Sequence, residues 1–353
     1  MIIMKNRYKF ILVLSVTCTI LSLCLASFSF SVAVNSNNKE EVPTLDSGDF
    51  DKLFYEENFH YFEVSDFAEK DINKINIAAK KYKTNTITVT DSDFKISEKL
   101  SNDIYKTIKD YGKKNSFYMV SLDDGMTVGY NVDSVYETAS SIKAPYALYI
   151  YKEIAKGNID RNHLITYKEK HENKGTGSVK NNEFGTQLTV EDLVYHSLHE
   201  SDNVAHIMLH DEFGVKGYNK MLKGLGTKQL YLSSSNPWGF TSPRSAALLW
   251  QDIYNFSITN EEGIEFLNIL SNVMYNYYDE VVPNIPSASK AGFAKKSVVV
   301  TGIIFDEHPY IAISVANTGG NISTNKQVIN LIKHMDQIMT EYENYLNTKQ
   351  KTS

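Results

Sequence analysis

The chain has 353 residues, enough for one sizeable domain with additions, and 42% of them are hydrophobic, as in an ordinary folded protein. The formal net charge of -6 argues against nucleic acid as a partner, because polyanion binding draws on an excess of Lys and Arg. Only two cysteines occur, Cys18 and Cys24, both in one N-terminal apolar stretch, so the rest of the chain forms no internal disulfide and needs no oxidising compartment.

In chain order, Lys5, Arg7 and Lys9 precede an uncharged run from Phe10 to Val34. A positive end followed by an apolar run reads as a signal peptide or membrane anchor over residues 1–34, with Ser31-Val32-Ala33 as a small-x-small cleavage site. Uncleaved, residues 10–34 would contact the membrane. Either way the remainder is expected on the extracellular face of the cytoplasmic membrane or secreted. Residues 35–95 read as a linker and small N-terminal extension, in which Thr86 to Thr90 alternates like a short strand.

The main domain is expected over residues 96–345. Leu100, Ile104, Ile108 and Tyr111 recur at helical spacing. Ser116 to Leu122 and Met126 to Tyr130 read as a hairpin around Asp123-Asp124-Gly125. A helix holding Ser140 should run to about Lys156 and stop at Gly157-Asn158. Residues 161–188 read as a polar surface loop. Helices are expected over Thr189 to His199, from Asn203 past His210, and around Tyr218 to Leu222. A loop over 227–243 leads to Pro243, a helix start. Glu262 to Tyr277 reads as another helix. Ser287 to Lys290 leads into a strand, Val298 to Phe305 and Tyr310 to Ala316 form a hairpin, and Ile329 to Tyr342 is a closing amphipathic helix.

One stretch carries chemistry. In Ser140-Ser141-Ile142-Lys143 the spacing of three sets Ser140 and Lys143 side by side on a helix face. A serine hydroxyl is a weak nucleophile and needs a base beside it. A lysine serves as that base once burial or a neighbouring cation lowers its pKa. Two later stretches give the pair a setting: Ser201-Asp202-Asn203 and Lys290-Ala291-Gly292. The histidine pairs His196/His199 and His206/His210 have spacings that can hold zinc. A break at Ser201 should split them, however, so half-buried or solvated histidines are expected and no metal or other cofactor. Tyr275, Tyr277 and Tyr278 read as core and rim packing.

Ser-x-x-Lys, then Ser-Asp-Asn, then a Lys-Thr-Gly-like triplet, in that order, resembles the signature of class A β-lactamases and penicillin-binding proteins. Thr189-Val190-Glu191-Asp192-Leu193 and Thr241-Ser242-Pro243-Arg244 flank it as in that family, and the resemblance covers roughly residues 97–345. It implies an α+β, β-lactamase/transpeptidase-like fold: an antiparallel sheet flanked by helices, with an inserted all-helical region. It implies a monomeric catalytic domain that takes a β-lactam or a peptidoglycan-derived peptide. Ser140 would be the nucleophile and Lys143 its base, with Ser201 and Lys290 completing the proton path. Asn203, Ala291, Gly292 and Phe293 would bind substrate, and the backbone N–H groups of Ser140 and Phe293 would form the oxyanion hole.

Three departures bear on activity. Ala291 stands where Thr or Ser is usual. Residues 285–325 contain no arginine to meet a substrate carboxylate. Residues 213–251 contain neither Asp nor Glu, although class A enzymes carry their deacylating glutamate there. Glu200 is the nearby carboxylate to weigh as a stand-in. Acylation is therefore expected with slow release. The alternatives are a D-Ala-D-Ala peptidase or transpeptidase, and a non-catalytic module for cell-wall binding or sensing.

Overall fold

The computed structural model describes residues 61–63, 75–90, 92–110, 115–294, 297–316 and 323–352. They belong to one compact unit, Phe54–Ser353. The signal or anchor segment 1–34, most of the stretch 35–74 and Tyr111 lie outside the described residues.

The frame is a six-stranded antiparallel sheet built from β1 (Thr88–Thr90), β2 (Asn115–Ser121), β3 (Thr127–Tyr130), β8 (Ser287–Phe293), β9 (Val298–Ile304) and β10 (Tyr310–Ala316), in the order β1-β3-β2-β10-β9-β8. The chain ends thus meet in one sheet, with everything between β3 and β8 inserted. β9 and β10 are near-continuous runs of β-formers because both faces of the sheet are covered. Their side chains alternate between two cores, as a pleated strand requires. Val299, Ile303, Ile311, Ile313 and Val315 enter one. Val298, Val300, Ile304, Tyr310, Ala312 and Ala316 enter the other.

The second core is closed by α1 (Glu98–Asp110), through Leu100, Ile104 and Ile108, and by α8 (Ser323–Thr352), through Leu331, Met335, Ile338 and Tyr342. The first is closed by the inserted helices: α2 (Lys143–Ala155), α3 (Val190–His199), α4 (Asn203–Phe213), α5 (Lys216–Gly224), α6 (Pro243–Ser257) and α7 (Glu261–Ser271). The fold is thus α+β, an antiparallel sheet flanked by helices with a helical region inserted, as the sequence implies.

Local signals explain the helix starts. Thr189 caps α3 in a reciprocal box with Asp192. Asp202 caps α4 by accepting from Ala205 N at 2.9 Å. Pro243 opens α6. Three expectations change. The Glu262–Tyr277 helix stops at Ser271. Beyond it Met274 N donates to His199 O (3.0 Å) and His199 Nδ1 meets Asn272 O (2.5 Å), so the backbone is tied to the end of α3 instead of continuing the helix. The 161–188 loop contains a two-stranded ribbon, β5 (Leu164–Thr166) with β6 (Gln187–Thr189). The closing helix is longer than its apolar stripe, because α8 runs on through a polar end.

The expected membrane contact through residues 10–34 needs correction. No helix among the described residues is long and apolar enough to cross a membrane, and residues 10–34 lie outside them. The longest helix, α8, is broken up by Lys326, Lys333, Asp336, Glu341, Glu343 and Lys349, charges that a lipid core excludes.

The N-terminal extension is built into the frame. β1 pairs with β3, and a short turn at Ile77–Ala79 is fastened by Arg244 from α6. The buried guanidinium donates to Asp133 (2.6 and 2.9 Å), to Ile77 O (2.9 Å) and to Lys80 O (2.8 Å), and lies over the Tyr82 ring. Arg244→Ala should cost about 2 kcal/mol, since two carbonyls lose charged donors while the half-exposed Asp133 rehydrates. Amide exchange around Ile77–Lys80 should speed up before the rest of the protein loosens. The Arg244 guanidinium holds the Asp133 carboxyl below its usual range, so the pair's contribution is present above about pH 4 and is lost as pH falls below that. Equal melting of variant and wild type near pH 7 would contradict this.

Candidate active site

Ser140 sits in a short 3-10 turn, Ala139–Ile142, and Lys143 is the first residue of α2. The expected single helix is thus a tighter turn that opens into a helix, and residues three apart nearly eclipse there. Lys143 Nζ lies 3.0 Å from Ser140 Oγ. It also contacts Ser201 O at 2.5 Å, Asn203 Oδ1 at 2.7 Å and Ser201 Oγ at 3.3 Å. The first and second motifs therefore meet at one nitrogen.

Lys143 is 0% exposed and Lys290 2%. Burial, and then the charge of Lys290, push Lys143 well below the usual lysine range, against a smaller opposing pull from Asp202. Burial alone brings Lys290 down to about 7. Chemistry follows from this. A neutral amine has two N–H groups and one lone pair. Ser201 O and the Asn203 amide oxygen can only accept, so they take the two N–H groups. The lone pair is left for a serine hydroxyl, the arrangement of a nucleophile beside its base.

Backbone geometry fixes the pair. Ala139 (φ 44°) and Ser201 (φ 58°) are non-glycine residues in the left-handed region, one just before the Ser140 hydroxyl and one at the turn from α3 to α4. β8 runs hard against the 3-10 turn: a Cβ on Gly292 would come 2.2 Å from Thr138 O and 3.0 Å from Ser140 N. Only glycine allows that approach, which places the strand beside the Ser140 N–H. Phe293 follows at the strand's end, 46% exposed and in contact with Tyr277. Ala291 points away, into the core under α1 and α8, so only its backbone is left for a ligand.

The 161–188 segment adds what the sequence did not reveal. Thr176 Oγ1 donates to Ser201 O (2.6 Å), Asn203 N to Thr176 O (3.0 Å), Val179 N to Asp202 Oδ2 (2.8 Å), and Asn203 Nδ2 to Asn173 Oδ1 (3.1 Å). Asp202 is thus a loop-ordering group, and Asn203 is held by side chains on both sides. Gly175 and Gly177 were the available hint, since a Cβ on either would strike Asn203 or Asp202. A second omission is Trp238, whose ring centre is 5.6 Å from Lys143 Nζ.

Both carboxylate oxygens of Glu200 are engaged away from Ser140's own hydrogen bonds. His196 Nδ1 lies 2.9 Å from one of its oxygens and Ser178 N donates to the other, and these bonds hold its carboxyl at about 2. The four histidines are divided as the break at Ser201 suggests. His196 meets Glu200 and His199 meets Asn272 O, while His206 and His210 meet the carbonyls of Pro237 and Ser233. Tyr278 is core, bonded to Ala312 O, whereas Tyr275 stands exposed at the rim.

Residues 99–342 match the profile of the Beta-lactamase enzyme family. The chain belongs to that family. Its fold and family make it serine-hydrolase-like. No curated protein matches it by sequence. Among solved structures it is similar to an acyl-enzyme complex of a PBP-A mutant with penicillin G (TM-score 0.61, 19% identity, 69% of this chain and 97% of the other). It is also similar to β-lactamases from Sphaerobacter thermophilus (TM-score 0.60, 21% identity, 67% and 94%) and Chitinophaga pinensis (TM-score 0.59, 18% identity, 67% and 98%). At these identities the likeness is one of fold.

The buried Lys290 gives a test that needs no substrate. Between its folded value near 7 and an unfolded value near 10.4, the unfolded chain holds a proton that the folded chain lacks. Stability therefore rises with pH across that window, and the full cost of burying the charge falls below it. Lys290→Met should stabilise the fold by up to about 5 kcal/mol at pH 7, at about 1.4 kcal/mol per pKa unit. Urea unfolding should show the gain shrinking toward pH 10; a gain independent of pH would refute the assignment.

Proposed function

We propose that this protein is a serine acyl enzyme in which Ser140 is acylated by β-lactams or related peptidoglycan peptides. The observation that carries the reading is the fully buried Lys143 amine, 3.0 Å from Ser140 Oγ, with fixed acceptors at Ser201 O and Asn203 Oδ1. Lys143 takes the Ser140 proton as the hydroxyl attacks the carbonyl carbon. The N–H groups of Ser140 and Phe293 receive the developing oxyanion, a role worth roughly 3–4 kcal/mol for one such donor. Ser201, beside Lys143, passes the proton to the leaving nitrogen. Lys290 supplies positive charge at the end of that path, and Asn203 and the Gly292 backbone align the substrate.

Release is slow in this reading. Residues 213–251 offer no carboxylate, and Glu200 is a weak base already engaged by His196 and Ser178. A positioned general base contributes about 10²–10⁴-fold to such a step. The same observation favours a second reading, a D-Ala-D-Ala peptidase or transpeptidase, in which an amine accepts the acyl group.

Intact-mass spectrometry after mixing with a penicillin tests both. Wild type should gain the mass of the drug and keep it for minutes or longer. Ser140→Ala should gain nothing, and Lys143→Ala should acylate at least about 10²-fold more slowly. Absence of any adduct, also with an activated fluorophosphonate, removes the enzyme reading and leaves the binding or sensing module. Rapid return to the free mass with many equivalents of drug opened would mean that an efficient base exists.

We also infer that the protein is exported and that the segment 1–34 contains a cleaved signal peptide, on the strength of Lys5, Arg7 and Lys9 before an uncharged run. Cleavage after Ala33 predicts a mature chain beginning at Val34. N-terminal sequencing of protein recovered from outside the cell checks this, and an uncleaved chain found in the cytosol would contradict it.

A further inference from the structure

The loop joining α5 to α6 ends in a two-residue strand, β7 (Phe240–Thr241), paired with β4 (Tyr136–Glu137) just before the Ser140 turn. Thr138 locks onto Gly239 three times: its N–H and hydroxyl donate to Gly239 O (3.0 and 2.9 Å), and Gly239 N donates back to the hydroxyl (3.2 Å). His206, on α4 one turn beyond Asn203, meets Pro237 O through Nε2 at 2.9 Å. Trp238 therefore lies between two anchored residues, its ring 5.6 Å from Lys143 Nζ and 5.2 Å from the His206 ring.

His206 is buried, and its Nδ1 has no partner among the described residues. Its one proton belongs on Nε2, facing the carbonyl. Burial and the nearby Lys143 hold it down at about 3, so it stays neutral across the working range. A neutral ring still donates its Nε2 proton to Pro237 O and adds no charge beside Lys143.

We propose that Trp238, held by His206, is a positioning residue that replaces water over Lys143, governing the basicity of that amine and the access of hydrolytic water to an acyl group on Ser140. The proposal rests on acylation of Ser140 as argued above. The indole face attracts an ammonium, which favours the charged form weakly. Exclusion of water disfavours it strongly, and burial is the first cause of the low Lys143 value. The same ring occupies space from which water would reach the ester. With the ring removed, water enters beside Lys143 and its oxygen attacks the acyl carbonyl while the amine takes its proton. The C–Oγ bond then breaks, Ser140 Oγ regains a proton from Lys143, and the free acid leaves.

The test compares wild type, Trp238→Ala and Trp238→Phe. In Trp238→Ala the penicillin adduct should decay at least about tenfold faster. The rise of the acylation rate with pH should move to higher pH, because Lys143 rehydrates and holds its proton longer. Trp238→Phe should restore both toward wild type, which a mere loss of loop order would not predict. Where Trp238→Ala does not fold, Trp238→Leu takes its place, with the same directions in smaller size. An unchanged lifetime and an unchanged pH limb overturn the proposal. Where wild type forms no adduct, the acyl-enzyme reading has failed and nitrogen-detected NMR of the lysine amines decides this inference separately. An upward move of the Lys143 titration in the Ala variant sustains the part concerning basicity, and an unmoved titration overturns it.

Discussion

The site depends on the removal of water from one amine. Lys143 lies at the start of a helix, where the unpaired N–H groups and the dipole already disfavour a cation. It is then sealed beneath the turn from α3 to α4, the Trp238 loop and β8, with a second buried lysine nearby. Two such groups are costly to fold around, and the cost has to be met by the apolar layers on either side of the sheet. Each element closing over Lys143 is correspondingly over-determined by hydrogen bonds: Asp202 to two backbone N–H groups, Thr138 to Gly239, Thr176 to Ser201 O and Asn203 N.

Strain sits at the same place. Ala139 and Ser201 adopt left-handed backbone without the excuse of glycine; Ala139 immediately precedes Ser140, which touches Lys143, and Ser201 touches it directly. The close pass of β8 at Gly292 adds a third constraint, backbone against backbone, that no side-chain adjustment relieves. Such features persist only where the surrounding fold leaves no alternative. Here the six-stranded sheet supplies that rigidity, because β8 is held in register along its whole length by β9.

How much of this was legible in the sequence varies with range. Near-continuous runs of β-formers in β9 and β10, the apolar spacing of the inserted helices and Pro243 are local signals, and they placed the strands and the inserted helices well. The meeting of Ser140, Lys143, Ser201 and Asn203 followed from the order of motifs, since the residues alone do not say that segments 60 apart converge. What stayed hidden was contact made by irregular backbone. In Lys174-Gly175-Thr176-Gly177 only the two glycines hint at a strap over the second motif, because its hydrogen bonds come from irregular backbone and single side chains and carry no periodicity. The helix through Tyr277 was overdrawn for a related reason: the apolar residues continue past Ser271, but the backbone there bonds to α3. Trp238 was passed over because a lone aromatic in a loop has no pattern to belong to.

The two lysines also bear on how the proposed reaction begins. A charge on Lys290 depresses Lys143, and both sit where a full charge is expensive. Interacting groups of this kind share protons as a pair, so the useful state is the one with the proton on Lys290 and the lone pair on Lys143. A substrate anion near Lys290 favours that state, because it stabilises the charge there and leaves the amine beside Ser140 free to act as base. The missing hydroxyl at residue 291 and the absence of arginine over 285–325 then matter doubly. They leave Lys290 as the cation of β8 for such an anion. In the proposed reaction, substrate binding and base activation would thus fall to the same residue, and a poor fit at Lys290 would weaken both at once.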